Sequence, residues 1–300
     1  MLKPFPKILD LYLRVTMKYA EFSLITVPLT IYNFKSKLSL KPRKTILFYP
    51  DVPEFIQVLK QLCQFNAYKI SYDLKDAEKA DAVIFFTDST FREPDEKLKN
   101  IGKNRQIINF NSRDISKERV DRIQEKVFGY GLTINPETFK GKYVKKGNIN
   151  AMHNGVILDK PEKASKEYVY QHVVNNVIND LVVDIRVPVF KDTIPFVYLK
   201  YRPLLTRFES DNVKSIVTKV EEVLSKEECE KIIQLCREME IDHGELDILR
   251  DKDTKKLYVV DVNNTPGGPP FGLTRREYKN ALQNMSNSFI NAFLSDSKSE

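Results

Sequence analysis

The sequence predicts an α/β protein in two parts, a small parallel α/β unit followed by a unit built on hairpins. Three observations predict it. Between Lys44 and Phe110, short apolar, β-branched runs alternate with a helical pattern. Between Tyr143 and Asn263, apolar runs return at hairpin spacing, separated by turn residues. The last hairpin carries Asp247, Asp261 and Asn263 at its strand ends. With 300 residues and 42% apolar content the chain is long enough to bury a core of this kind.

The chain opens on a helical segment over residues 1–40. Ile8 to Phe34 is rich in Leu, Ile, Tyr and Phe, but Arg14, Lys18, Glu21 and Pro28 interrupt it. Its uninterrupted apolar runs are too short for a membrane span or a signal peptide. A packed helix is favoured over a peripheral membrane contact by residues 1–34, although Lys3, Lys7, Arg14 and Lys18 suit an anionic leaflet.

Residues 41–115 form the first α/β unit. Thr45 to Tyr49 reads as a strand, and Pro53 to Phe65 as a helix with Phe55, Val58, Leu59 and Leu62 on one face. Tyr68 to Tyr72, Ala82 to Phe86 and Gln106 to Phe110 are the next strands. No glycine-rich fingerprint follows the first strand, which argues against a dinucleotide cofactor there.

The second unit covers residues 116–300. Glu118 to Phe128 is helical and ends at Gly129-Tyr130-Gly131. Tyr143 to Lys146 and Val156 to Leu158 pair as a hairpin, and the small, polar tip Gly147 to Gly155 suits closure over phosphates. Tyr168 to Val174 is extended, and Val182 to Phe190 pairs with Phe196 to Lys200. Asp184 and Arg186 share a face, either as a cross-strand ion pair or with Arg186 turned to an anionic ligand. Lys200, Arg202 and Arg207 follow, and Glu221 to Met239 is a long helix.

Glu245 to Leu249 and Leu257 to Val262 then form the final hairpin. Strand alternation puts Glu245, Asp247 and Leu249 on one face, and Asp261 with Asn263 on one face of the partner strand. Strands disfavour Asp and Asn, so their presence here points to a Mg2+ site completed by water and phosphates. Thr265 to Pro270 cannot continue a strand or begin a helix and forms a loop of defined shape.

A net charge of +7 and a pI near 9.0 favour anionic partners. The Lys residues are spread without a basic and aromatic block, so no nucleic acid partner is expected. Cys63, Cys229 and Cys236 fit neither a disulfide framework nor a zinc spacing, and read as reduced thiols of a cytoplasmic protein.

These motifs together resemble the ATP-grasp ligases over roughly residues 120–290. That family places an acidic residue in one strand, then after a turn an apolar strand ending in acid-x-Asn and a Thr/Ser-Pro-Gly loop; here these are Asp247, Asp261, Asn263 and Thr265-Pro266-Gly267. QHVVNN at 171–176 looks like the strand whose backbone holds adenine, and VVDIRVPVF with FVYLK looks like the Asp-x-Arg and basic strands of ligases that add amino acids to peptide tails. The resemblance implies an α+β ATP-grasp fold with its lid over about residues 125–180. It further implies a ligase that turns a carboxylate into an acyl phosphate with ATP and joins it to an amine or similar nucleophile, in peptide or cell-surface polysaccharide modification. Asp247, Asp261 and Asn263 would hold Mg2+; Lys145 or Lys146, with Gln171, His172, Val173 and Lys200, would hold ATP. Arg186, Lys200 and Arg207 would serve the reaction. His153, His172 and His243 read as structural or surface residues rather than bases. Asp261 stands where the family has Glu, one methylene longer. A nucleotide-binding module without turnover and a sugar transferase are the alternatives.

Overall fold

The computed structural model describes residues 43–152, 154–209 and 212–295. The helical segment expected over residues 1–40, with its possible membrane contact, and His153 lie outside the described residues. Strands β1 (Thr45–Pro50), β2 (Lys69–Ser71), β3 (Ala82–Phe86) and β4 (Ile107–Ile108) form a parallel sheet in the order β2-β1-β3-β4. Both faces are covered, which is why these strands read as continuous apolar runs. Ile46, Phe48 and Ile84 pack on helices α1 (Val58–Phe65) and α5 (Arg275–Phe289), while Leu47, Val83 and Phe85 pack with Leu98 of α2 (Glu96–Gly102).

Helix α1 starts five residues later than its periodicity predicts. The backbone before it pairs instead with the Pro-Gly loop: Gln57 bridges Gly267, and the Val58 N–H donates to the Pro266 carbonyl at 2.9 Å. Phe55 is consequently exposed rather than on the buried helix face. Gly268 takes no left-handed conformation, and a Cβ there would force the Gln61 side-chain amide to move.

Helix α3 (Lys117–Phe128) is capped by Ser116 and stopped by Gly129 at φ 81°. Strands β5 (Tyr143–Gly147), β6 (Val156–Leu158) and β7 (Tyr168–His172) form a small antiparallel sheet in the order β6-β5-β7. The third sheet is antiparallel and six-stranded. It orders β11 (Lys214–Thr218), β10 (Val197–Pro203), β9 (Leu181–Phe190), β12 (His243–Arg250) and β13 (Leu257–Asn263), with β8 (Val177–Ile178) paired to β9. Helix α4 (Lys226–Glu238) is shorter than its pattern predicts because Ser225 and Glu228 close a capping box and Val220–Glu222 forms a separate 3-10 turn. Among the described residues no helix is long and apolar enough to cross a membrane.

The central sheet has two chemically opposite faces. Ile185, Val187, Val189, Leu246, Ile248, Val259 and Val262 pack against α3 and α4. Alternation turns Asp184, Arg186, Lys200, Glu245 and Asp247 to the other side. Cys63 and Cys236 are buried free thiols raised by that burial, and Cys229 is half-buried.

Asn109, at the end of the parallel sheet, joins it to the central hairpin. Its side chain donates to the carbonyls of His243 (2.7 Å) and Asn264 (3.1 Å) and accepts from the N–H groups of Asp242 (2.9 Å) and His243 (3.0 Å). Its φ of 59° is a conformation Asn tolerates better than most residues. Asn109→Ala leaves these buried partners unpaired and strains the backbone, and is expected to cost roughly 3–5 kcal/mol. Urea unfolding with an unchanged slope checks it.

Candidate functional site

The polar face of the central sheet is organised by Asp247. On adjacent β9, Arg186 donates to it from Nε (3.0 Å) and Nη2 (3.1 Å), and Lys200 on β10 donates from Nζ at 2.8 Å. Register explains the meeting: Arg186, Asp247 and Asp261 are direct partners across β9, β12 and β13. Burial alone would raise the Asp247 pKa, but Arg186 and Lys200 hold it far below the carboxylate range. Burial opposes charge on Arg186 as well, and Asp247 and Glu245 overcome it. Lys200 is lowered by burial and by Arg186.

Glu245, which the sequence placed beside Asp247 without a role, is 3% exposed and neither carboxylate oxygen has a hydrogen-bond partner. Arg186 Nη1 stands 3.6 Å from its Oε2. Burial pushes its pKa up to about 7 against the pull of Arg186.

Asp261 reaches the same face through a β-bulge. The partner of Asp247 is Asp261, yet the partner of the next residue, Ile248, is Val259, which leaves Val260 extra. Uniform alternation would put Val259 and Asp261 on one face; the bulge sends Val259 into the core and Asp261 to the polar side. The Asp261 Oδ1 lacks a hydrogen bond, with the Lys117 Nζ 3.6 Å away, and burial raises its pKa. Lys117 was not legible as a site residue. It begins α3, donates to the Ile149 carbonyl at 2.9 Å, and only tertiary packing brings it to Asp261.

β13 is an edge strand, and side chains cover its free backbone. Gln124 of α3 donates to Leu257 O and accepts from Val259 N, Lys146 of β5 donates to Val260 O at 3.1 Å, and Asn150 donates to Val262 O at 2.9 Å. The hairpin tip is held further by the Asn150 N–H on Thr90 Oγ1 and by Asn148 Oδ1 on the Glu118 N–H of α3. Lys146 thus faces β13, where burial lowers its pKa to about 8. Lys145 does not: strand alternation turns it to the other face, where it pairs with Glu162 at 2.7 Å and lies over Tyr168.

Between the small β6-β5-β7 sheet and β13 lies an apolar cluster of Leu132, Val174 and Tyr258, flanked by Tyr130, Leu249 and Val260. Gln171 is buried and paired with Val144 in the β5–β7 ladder. His172 spends its N–H on Leu132 O, and its ring meets Tyr258 edge-on at 5.1 Å. Val173 lies one residue beyond β7, next to the cluster. Arg207 donates to Asn176 Oδ1 (3.2 Å) and to Val174 O (3.4 Å). Asp184 and Arg186 are not each other's partners: Asp184 pairs with Arg202. His243 is buried against Phe190 and lowered to about 4, remote from base chemistry.

Among the described residues no three His, Cys, Asp or Glu side chains form a ready metal cluster. A hard cation still fits, because it needs only a few protein oxygens beside phosphates and water. The unpartnered Asp261 Oδ1 is free to accept it, Asn263 is the register partner of Glu245, and Asp247 lies opposite Asp261. The Asn263 Oδ1 already accepts from Thr265 N at 2.8 Å, and both Asp247 oxygens are engaged by cations.

No family model matches the sequence, and no curated protein does. Solved structures do. The ATP-grasp ligase PsnB, complexed with a phosphomimetic variant of its minimal precursor, Mg and ADP, is similar at a TM-score of 0.50 and 10% identity, over 82% of this chain and 99% of that one. D-alanine–D-alanine ligase from Bacillus anthracis complexed with ATP gives 0.48 at 13% identity over 84% and 98% of the two chains. The macrocyclase MdnC from Microcystis aeruginosa MRC, bound with precursor peptide MdnA, gives 0.47 at 13% over 83% and 100%. The chain has the ATP-grasp fold. Its mixed helices and sheets are the α+β arrangement of that fold.

The two acids differ in sign of effect on the metal-free protein. Asp247→Asn strips two buried cations of their counter-charge and is expected to cost roughly 3 kcal/mol. Asp261→Asn removes a carboxylate that burial penalises and leaves stability unchanged or raised. Thermal unfolding in chelator compares them.

Proposed function

We propose that this chain is an ATP- and Mg2+-dependent ligase that activates a carboxylate as its acyl phosphate and joins it to an amine or similar nucleophile. The observation that carries this reading is the convergence of Lys117, Lys146, Arg186 and Lys200 on Asp247 and Asp261, where the lid hairpin meets the central sheet. Similarity to PsnB, whose structure holds Mg and ADP, supports it.

Asp247, Asp261 and Asn263 would hold Mg2+, which when bound spreads the charge that develops on the transferring phosphoryl group. Lys146 would leave Val260 O for the phosphates, joined by Lys117 and Lys200, so that developing negative charge meets fixed ammonium groups. The Leu132, Val174 and Tyr258 cluster, beside Val173, offers an apolar seat for adenine. Arg186 stands at the junction of phosphate and acceptor, and its fork suits a carboxylate or a phosphoryl oxygen. Arg207, at the base of the lid, would orient Val174 and Asn176 rather than touch phosphate. A carboxylate oxygen attacks the γ-phosphorus and ADP leaves; the nucleophile then attacks the acyl carbon and phosphate leaves. The acyl phosphate is activated enough to proceed without a strong protein base.

Two observations favour a nucleotide-binding module without turnover: Asp247 is fully engaged by two cations, and Asp261 is shorter than the Glu usual at its place. Similarity to PsnB, an ATP-grasp ligase, supports the ligase reading over that of a sugar transferase.

The unaltered chain is expected to release ADP from Mg·ATP when supplied with a panel of carboxylates and amines. Asp261→Ala abolishes release while keeping its unfolding temperature; equal ADP release by that variant would sink the ligase reading, and nucleotide binding without any ADP formation would favour the module. Lys146→Ala weakens nucleotide binding and Lys145→Ala does not, as calorimetry with a non-hydrolysable nucleotide would report. Lys146 also sets a pH dependence. Its ammonium is present below about 8 and lost above it, so affinity falls by up to about tenfold per pH unit past that point. Lys146→Arg removes this fall.

A further inference from the structure

We propose that Glu245 is the receiving site for the Arg186 guanidinium, which passes to it from Asp247 when a divalent cation binds Asp247. The inference rests on the reading of Asp247 as a metal ligand and assigns a positioning role to a residue that reading leaves unused.

The geometry is that of a side chain standing between two carboxylates and holding one. Arg186 binds Asp247 through Nε and Nη2, while Nη1 lies 3.6 Å from the Glu245 Oε2, beyond a hydrogen bond. Neither Glu245 oxygen accepts a hydrogen bond although the residue is 3% exposed. A buried carboxylate without donors is costly, and native structures keep few such groups. Glu245 cannot turn to water for partners, since its side chain is 1% exposed, whereas Arg186 retains 27% and has room to turn.

Metal binding makes the exchange necessary. In the metal-free protein Asp247 satisfies Arg186 and Lys200 together. A divalent cation needs the same oxygens, and its charge repels a guanidinium and an ammonium held on them. Lys200 has a long stem and can follow the phosphates. Arg186 has a nearer destination. Glu245 and Asp247 are two residues apart on one face of β12, about 6.6 Å along the strand, so rotation of the Arg186 side chain suffices and the sheet stays fixed. The planar guanidinium would then make a paired contact with Glu245, stand clear of the metal and present its remaining N–H groups to the acceptor.

The test measures Mn2+ binding to the full chain by electron paramagnetic resonance in the presence of the non-hydrolysable nucleotide AMP-PNP. Glu245→Gln is expected to weaken Mn2+ binding by about 10–100-fold, the range for residues that orient a metal's ligands. Adding Arg186→Gln to that variant is expected to recover most of the loss, because no guanidinium is left to displace. Equal Mn2+ affinity in Glu245→Gln and the unaltered chain overturns the hand-off, as does a double variant that recovers nothing. Should Glu245→Gln fail to fold, the unaltered chain decides: the Arg186 Nε–H resonance is expected to shift on adding Mg2+ to the AMP-PNP complex, and an unmoved resonance overturns the proposal. Absence of any Mn2+ binding by the unaltered chain removes the metal reading of Asp247 itself, and the hand-off with it.

Discussion

The Asp247 carboxylate, held by Arg186 and Lys200, is the interaction on which the polar half of the central sheet depends. Three strands meet in it. It places an anion where two cations would otherwise be buried without counter-charge, and so permits charged residues on a face that strands would normally fill with apolar groups. Its strength sets the chemistry around it: Asp247 stays ionised, and Glu245 receives only the more distant end of Arg186. A cation entering here competes with side chains already in place.

The surrounding structure serves to hold this face at the meeting of three sheets. From one side, Asn109 and the Thr265-Pro266-Gly267-Gly268 loop tie the parallel sheet to the end of β13. Asn264 accepts from Arg92 at 2.7 Å, Thr265 donates to Asp88 at 2.9 Å, and the loop backbone pairs with residues 56–58. From the other side the β5–β6 hairpin lies along the exposed edge of β13, through Lys146 and Asn150. The same contacts that protect an edge strand from pairing elsewhere therefore bring the Lys146 ammonium to this edge.

Much of the fold was legible because its signals are local. Continuous apolar runs gave β1 and β3, Gly129 gave the end of α3, and alternation gave the pairing of β9 with β10 and of β12 with β13. Where local pattern failed, a distant partner had intervened. The pattern starting at Pro53 is helical in composition, yet the Pro-Gly loop more than 200 residues away takes its first turn as a paired segment. Glu221 belongs to the periodicity of α4, but the Ser225 capping box satisfies the helix terminus later.

The site divides along the same line. The sequence by itself determined the charged face of the sheet, because alternation along a strand needs no tertiary information: Arg186, Glu245 and Asp247 follow from period two. It also determined that Lys145 and Lys146 face opposite ways. Only the tertiary structure decided which of them meets β13, since the choice depends on where the β5–β6 hairpin lies. Only it revealed the bulge at Val260 that brings Asp261 round to Asp247, because one extra residue inverts every later side chain and leaves no mark in composition. Lys117 belongs to that second group. Its place beside Asp261 comes from the packing of elements far apart in the chain, and periodicity reports only on neighbours.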